Sequence, residues 1–182
     1  MSTTYVYLEL GSNLGERAQY LAAAKELLTR RVGECVRASS IYESEPWGFE
    51  SDTSFLNQVV VLSTTLTPED LLKAIAAIEH DLGRVRSPHQ RYSSRTIDID
   101  ILLYGDRIID SSPNLIVPHP RMSERRFVLL PMIEVAPTGR HPLLNITWQE
   151  LLTQCNDTGW VTIWKPESTE KLSADSLVHA LE

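Results

Sequence analysis

Two aspartates one residue apart, Asp98 and Asp100 in the run Thr96-Ile97-Asp98-Ile99-Asp100-Ile101, are the side chains of this 182-residue chain best placed to do chemistry. If the run is a strand, period-two alternation puts the isoleucines on one sheet face and both carboxylates on the other, with Cα atoms about 6.5 to 7 Å apart. Carboxylates converging at that spacing can ligate hard cations roughly 3.5 to 4 Å apart, the separation suited to phosphoryl chemistry. Alone, Asp-x-Asp also describes the polar outer face of an ordinary half-exposed strand. The neighbouring residues favour the cation site: Arg84, Arg86, His89, Arg91 and Arg95 fall between Gly83 and Ile97 with no acidic residue among them. Arginine outnumbers lysine 13 to 4, and 8 of the 13 lie between Arg84 and Arg126. Guanidinium forks grip phosphate oxygens in pairs, whereas lysine acts as a point charge. Magnesium keeps few protein ligands and shares substrate phosphates, so carboxylates beside this cluster read as a site for a magnesium nucleotide.

A second group suits a flat ring. Phe55 and Asn57, two apart at the start of a strand-like run, share a face, and an aromatic ring beside an amide can stack on a heterocycle and read its edge. The plainer reading is a core aromatic with a strand-end cap. Phe127, just after Arg125 and Arg126, is placed to supply the other side of such a stack.

Several function classes are disfavoured. Gly11-Ser12-Asn13-Leu14-Gly15 lacks the Gly-Lys-Ser/Thr ending of a P-loop and reads as a strand-to-helix turn. No G-x-S-x-G elbow occurs, and the five histidines form no H-E-x-x-H pair. Cys35 and Cys155 are far apart without ligand spacing, which leaves two buried, unpaired thiols. A net charge of −7 argues against a nucleic-acid partner, and an RRM-type sheet would also need a paired aromatic motif. No run approaches the roughly 18 apolar residues of a membrane span, and the start has no basic-then-apolar leader. The expectation is a cytoplasmic protein without a membrane partner.

The elements that must position these groups follow from hydrophobic period and punctuation. Strands are expected at 5–10, 36–42, 55–62 and 96–103. Helices are expected over 18–31, ended by Gly33, and from a Thr67 cap with Pro68 at its first position to Leu82, ended by Gly83. The second helix carries an apolar stripe of Leu71, Leu72, Ile75 and Ile78, with Glu79 beside it. The 43–53 loop is long for a hairpin, which suits a functional loop. Short helical segments are expected near 125–130 and 148–153. The order β-α-β-β-α-β specifies an α+β, ferredoxin-like plan: an antiparallel sheet with helices on one face and the active site over the other. One domain should span 1–164, followed by a polar extension over 165–182.

Taken in order, Leu10-Gly11-Ser12-Asn13, Phe55-Leu56-Asn57, Arg84-Val85-Arg86, Arg95 to Ile101 and Val117-Pro118-His119 resemble the signature of the 6-hydroxymethyl-7,8-dihydropterin pyrophosphokinases of folate biosynthesis, over roughly residues 5–153. The resemblance implies a transferase that passes the pyrophosphoryl group of ATP to the pterin hydroxymethyl, yielding the pterin diphosphate and AMP with two Mg2+ held by Asp98 and Asp100. It implies that Phe55 and Phe127 sandwich the pterin while Asn57 and the backbone around Ser44, Pro46 and Trp47 read its edge. Glu79, Arg86, Arg91, Tyr92, Ile101, His119 and Arg125 match ATP-site positions. Arg84 and Arg95, with the two aspartates, match the catalytic group, and 84–95 has the length and polarity of a lid that orders over nucleotide. Tyr92, Pro120 and Ala76 depart from the pattern, which bears on adenine and ribose contacts. The implied partners are the two small substrates; a monomer is expected because no apolar surface stripe is left over. The rival reading is a non-catalytic ferredoxin-like module that binds a nucleotide or another ligand.

Overall fold

The computed structural model describes residues 2–84, 94–111 and 113–166. Strand β1 (Thr4–Ser12) lies near the centre of the sheet. Its alternation buries Val6, Leu8 and Leu10 completely on one face and turns Tyr7, Glu9 and Gly11 to the other. Helix α1 (Arg17–Arg31) follows, then β2 (Gly33–Ala38), β3 (Tyr42–Ser44) and β4 (Phe55–Thr64). Helix α2 (Pro68–Asp81) leads into β5 (Asp98–Tyr104). The sheet runs β5-β1-β4-β3, with β2 also on β4, and every pairing is antiparallel. This is the βαββαβ arrangement expected from the sequence.

Local signals act as their chemistry requires. Thr67 Oγ1 accepts the Asp70 N–H at 3.1 Å and caps α2, with Pro68 in the first turn. Past its end Gly83 adopts φ +78°, and the Arg84 N–H returns to the Glu79 carbonyl at 2.9 Å. Leu71, Ile75 and Ile78 of α2 and Leu21, Ala24, Leu27 and Leu28 of α1 pack on the even-numbered residues of β1, with Ile97, Ile99 and Ile101.

The strand expected over 36–42 is instead two short strands shifted along the chain. The break falls at Ser39, whose Oγ accepts the Val59 N–H at 3.0 Å, so a side chain takes over one rung of the ladder. The first of the two begins at Gly33, where a Cβ would lie 2.1 Å from the Ser63 carbonyl oxygen. Backbone, not a flexible side chain, meets it. Gly33→Ala is therefore expected to destabilise the protein by about 2 kcal/mol, read as a lower midpoint in urea.

The second sheet face is covered over part of its extent. The segment expected to be helical near 125–130 continues through Pro131 as α3 (Arg126–Val135), and α4 (Trp148–Gln154) packs beside it. Together they bury Val59, Val61, Leu102 and Leu103 against Met122, Leu129, Met132 and Trp148. Leu102 and Leu103 face this side together because β5 slips by one residue against β1 there. Strand β8 (Val161–Ile163) adds to β3, while β6 (Ile109–Ser111) and β7 (Leu115–Val117) form a separate ribbon. Cys35 and Cys155 are unpaired and half-buried rather than buried. Among the described residues no helix is long and apolar enough to cross a membrane. The extension expected over 165–182 lies outside the described residues from 167 onward.

Candidate active site

Beyond α3 the described residues leave the second face uncovered, and the first residues of β5, the last of β1 and the first of β4 form the floor of a cleft there. Gly11 pairs with Asp98, and Glu9 with Asp100, across β1 and β5; Gly11 also pairs with Asn57 across β1 and β4. The cleft is partly open to solvent. Asp98, Asp100, Arg95, Arg125, Phe55, Asn57, Ser44, Trp47 and Phe127 all line it. Pro46 is half-buried between two of these residues.

The carboxylates are wrapped in guanidinium groups. Asp98 Oδ1 lies 2.6 Å from Arg84 Nη1, and Asp98 Oδ2 accepts from Arg95 Nη1 at 2.6 Å. Asp100 Oδ2 is 3.4 Å from Arg125 Nη1 and 3.7 Å from His119 Nε2. Burial, and then the charge of Asp100, push Asp98 up to about 6 in spite of both arginines. Such a site favours an added cation. Burial holds His119 below the usual imidazole range, and its Nδ1 accepts the Arg121 N–H at 3.2 Å, which places the ring proton on Nε2, facing Asp100.

The arginines are held in turn. Glu79, at the end of α2, is 2% exposed and accepts the Ile99 N–H at 2.9 Å while pairing with Arg84. Arg84 is thus gripped between Glu79 and Asp98. Arg95 is set by Asn13, whose Oδ1 accepts the Arg95 N–H at 2.9 Å and whose own N–H donates to the Arg95 carbonyl at 3.2 Å. Asn13 also accepts from Thr53 Oγ1 at 2.8 Å through its carbonyl and donates Nδ2 to Ser94 Oγ at 3.1 Å, joining the long loop to the arginine segment. Toward the aromatic side, the Arg125 guanidinium lies over Trp47 at 4.8 Å and Phe127 at 5.7 Å, and Arg95 lies over Phe55 at 5.9 Å.

The structure therefore brings most of the expected residues to one place. Glu79 and Arg84 act from behind the cleft, His119 stands next to Asp100, and the Ile101 side chain lies in the helix-side core at 6% exposure. Ala76 and Pro120 are exposed. Arg86, Arg91, Tyr92 and most of the lid expected over 84–95 lie outside the described residues. Glu9 carries no signal of its own in the sequence, yet it lines the cleft at 4% exposure, with no hydrogen-bond partner for Oε1 among the described residues. Burial first, then Asp100 and Asp98, push its carboxyl well above the usual range. Its place was open to inference only once β1 was known to run beside β5.

A ferredoxin-like sheet carrying paired carboxylates among arginines, beside a slot of aromatic rings, defines a class of protein equipped to transfer a phosphoryl-type group to a flat acceptor. The sequence model of the 7,8-dihydro-6-hydroxymethylpterin-pyrophosphokinase family matches residues 7–137, and the chain belongs to that family. It is 50% identical over 133 residues, 72% of its length, to the 2-amino-4-hydroxy-6-hydroxymethyldihydropteridine pyrophosphokinase of Porphyromonas gingivalis, covering 90% of that protein. To the enzyme of the same name from Bacillus subtilis it is 39% identical over 175 residues, 96% of each chain. A solved HPPK-DHPS in complex with substrates superposes with a TM-score of 0.70 at 15% identity over 85% of this chain. The Plasmodium falciparum wild-type HPPK-DHPS gives 0.68 at 18% identity over 84%. At those identities the likeness concerns the fold, and this chain spans less than half of either structure, 43% and 45%.

Proposed function

We infer that this chain transfers the pyrophosphoryl group of ATP to 6-hydroxymethyl-7,8-dihydropterin, giving the pterin diphosphate and AMP, a step in making tetrahydrofolate. The observation that carries this reading, in a member of that family, is the adjacency of an aromatic and amide-lined slot to Asp98 and Asp100 in one cleft. In the reaction the hydroxymethyl oxygen bonds to the β-phosphorus as the bridge to the α-phosphate breaks, and AMP leaves.

In our reading Asp98 and Asp100 hold two magnesium ions. The donor set fits: among the described residues no cluster of three or more His, Cys, Asp or Glu could form a closed metal cage, whereas magnesium needs one or two carboxylates and completes its shell with phosphates and water. Bound there, the metal would supply charge stabilisation of the triphosphate. The protein's own part is positioning and neutralisation. Phe55 and Phe127 would hold the ring, Asn57 would read its edge, and Arg84, Arg95 and Arg125 would offer their guanidinium groups to phosphate oxygens. His119, neutral with its proton on Nε2, can donate to the nucleotide. Arg86, Arg91 and Tyr92 belong to the same nucleotide group in this reading, and the chain acts as a monomer.

Chromatography of the nucleotide products after mixing protein, ATP, magnesium and the dihydropterin tests this directly. AMP in amounts equal to the pterin diphosphate is expected. ADP instead of AMP would mean transfer of a single phosphoryl group and overturn the reading.

A further inference from the structure

Glu9 is an expensive residue to keep on this sheet. Its carboxyl is 4% exposed, Oε1 has no hydrogen-bond partner among the described residues, and an apolar side chain would pack the same strand position without leaving a polar atom unmatched. Two neighbours show where that oxygen is directed. A Cβ built on Gly11 would lie 3.2 Å from Glu9 Oε1 and 3.5 Å from Asn57 Oδ1, so both oxygens flank the patch of cleft floor where the glycine carries no side chain. The Asn57 amide is fixed in that sense, because its Nδ2 donates to Ser44 Oγ at 2.9 Å and turns Oδ1 to the patch. Glu9, Gly11 and Asn57 all line the cleft.

Two acceptors side by side over bare backbone complement two adjacent N–H donors on a planar ring, as in an amidine or guanidine-like edge formed by a ring N–H and an exocyclic amino group. The backbone under them has no side chain to obstruct a flat ligand. In either protonation state a carboxyl keeps an oxygen able to accept. We propose that Glu9, together with Asn57 Oδ1, is the specificity determinant that accepts hydrogen bonds from the amino-bearing edge of the heterocyclic substrate. The inference rests on the pyrophosphokinase reading and adds to it a residue that selects the acceptor.

The test uses the full chain with magnesium and a non-hydrolysable ATP analogue, and measures equilibrium binding of the dihydropterin and of its analogue lacking the 2-amino group. The unaltered protein is expected to prefer the amino compound by about tenfold to a hundredfold, the range for a hydrogen bond to a charged or buried acceptor. Glu9→Met, close in volume but without a strong acceptor, should reduce that preference to within about threefold. Glu9→Gln, which retains a carbonyl oxygen, should restore most of it. Affinity for the nucleotide analogue should stay as in the unaltered protein in both variants. An unchanged preference in Glu9→Met, or a change only in the magnesium requirement, overturns the proposal while leaving the pyrophosphokinase reading intact. Failure of the unaltered protein to bind the dihydropterin at all would remove both.

Discussion

Asp98→Asn is expected to lower kcat/KM by about a thousandfold, on the order of 4 kcal/mol of transition-state stabilisation, while leaving the protein at least as stable as before. The two halves of that expectation come from the same geometry. Asp98 is the carboxylate approached by two arginines, each at 2.6 Å, and its place on the cleft face beside Asp100 suits it to holding a cation. Asparagine keeps the shape but binds magnesium far more weakly. The ionised form is unfavourable in the folded protein, because burial and Asp100 push Asp98 to about 6. A carboxyl whose pKa is raised on folding adds stability below its unfolded value and loses it as pH rises through about 6. The amide mimics the protonated form permanently, so at pH 7 the metal-free variant should match or exceed the parent by at most about 3 kcal/mol. The same competition predicts that kcat/KM at limiting magnesium falls as pH drops below about 6, since protons and cations contend for the same oxygens. A variant that is both inactive and less stable at pH 7 would show that the arginines need the Asp98 charge more than the metal does.

Glu79→Ala should be the most damaging single change to stability near the site, at about 3 kcal/mol, seen as a lower midpoint in chemical denaturation. Glu79 is 2% exposed and performs two tasks at once. It satisfies the Ile99 N–H at the start of β5 and pairs with Arg84. Truncation strands a buried donor and leaves Arg84, itself only 14% exposed, with one counter-charge fewer. Activity should fall with it, because Arg84 loses the group that aims it at Asp98. Glu79→Gln separates the two effects: its carbonyl can still take the Ile99 N–H, so stability should largely return while activity stays low. Equal recovery of both would mean that Glu79 acts only on the strand.

Much of this arrangement is legible in the sequence. The alternation in Ile97-Asp98-Ile99-Asp100-Ile101 placed the carboxylates on the face opposite the helices, and Thr67-Pro68 with Gly83 marked the limits of α2 to within a residue or two. What escaped depended on partners distant in sequence. Glu9 looks like an ordinary polar residue in β1 until β5 is laid beside it and Asp100 becomes its neighbour. The α3 and α4 cover was missed although β4 contains Val59-Val60-Val61-Leu62, an unbroken apolar run that signals burial on both faces. The division between β2 and β3 depends on a serine hydroxyl standing in for a backbone group, which no periodicity records.

Asn13 has a further consequence of a mechanical kind. One fully buried side chain and its backbone hold the loop around Thr53 and the segment at Ser94 and Arg95 to the end of β1. The two walls of the cleft therefore share a rivet. A tug on either wall passes to the other through Asn13, so the two sides of the cleft behave as jaws of one clamp rather than as adjoining, independent sockets.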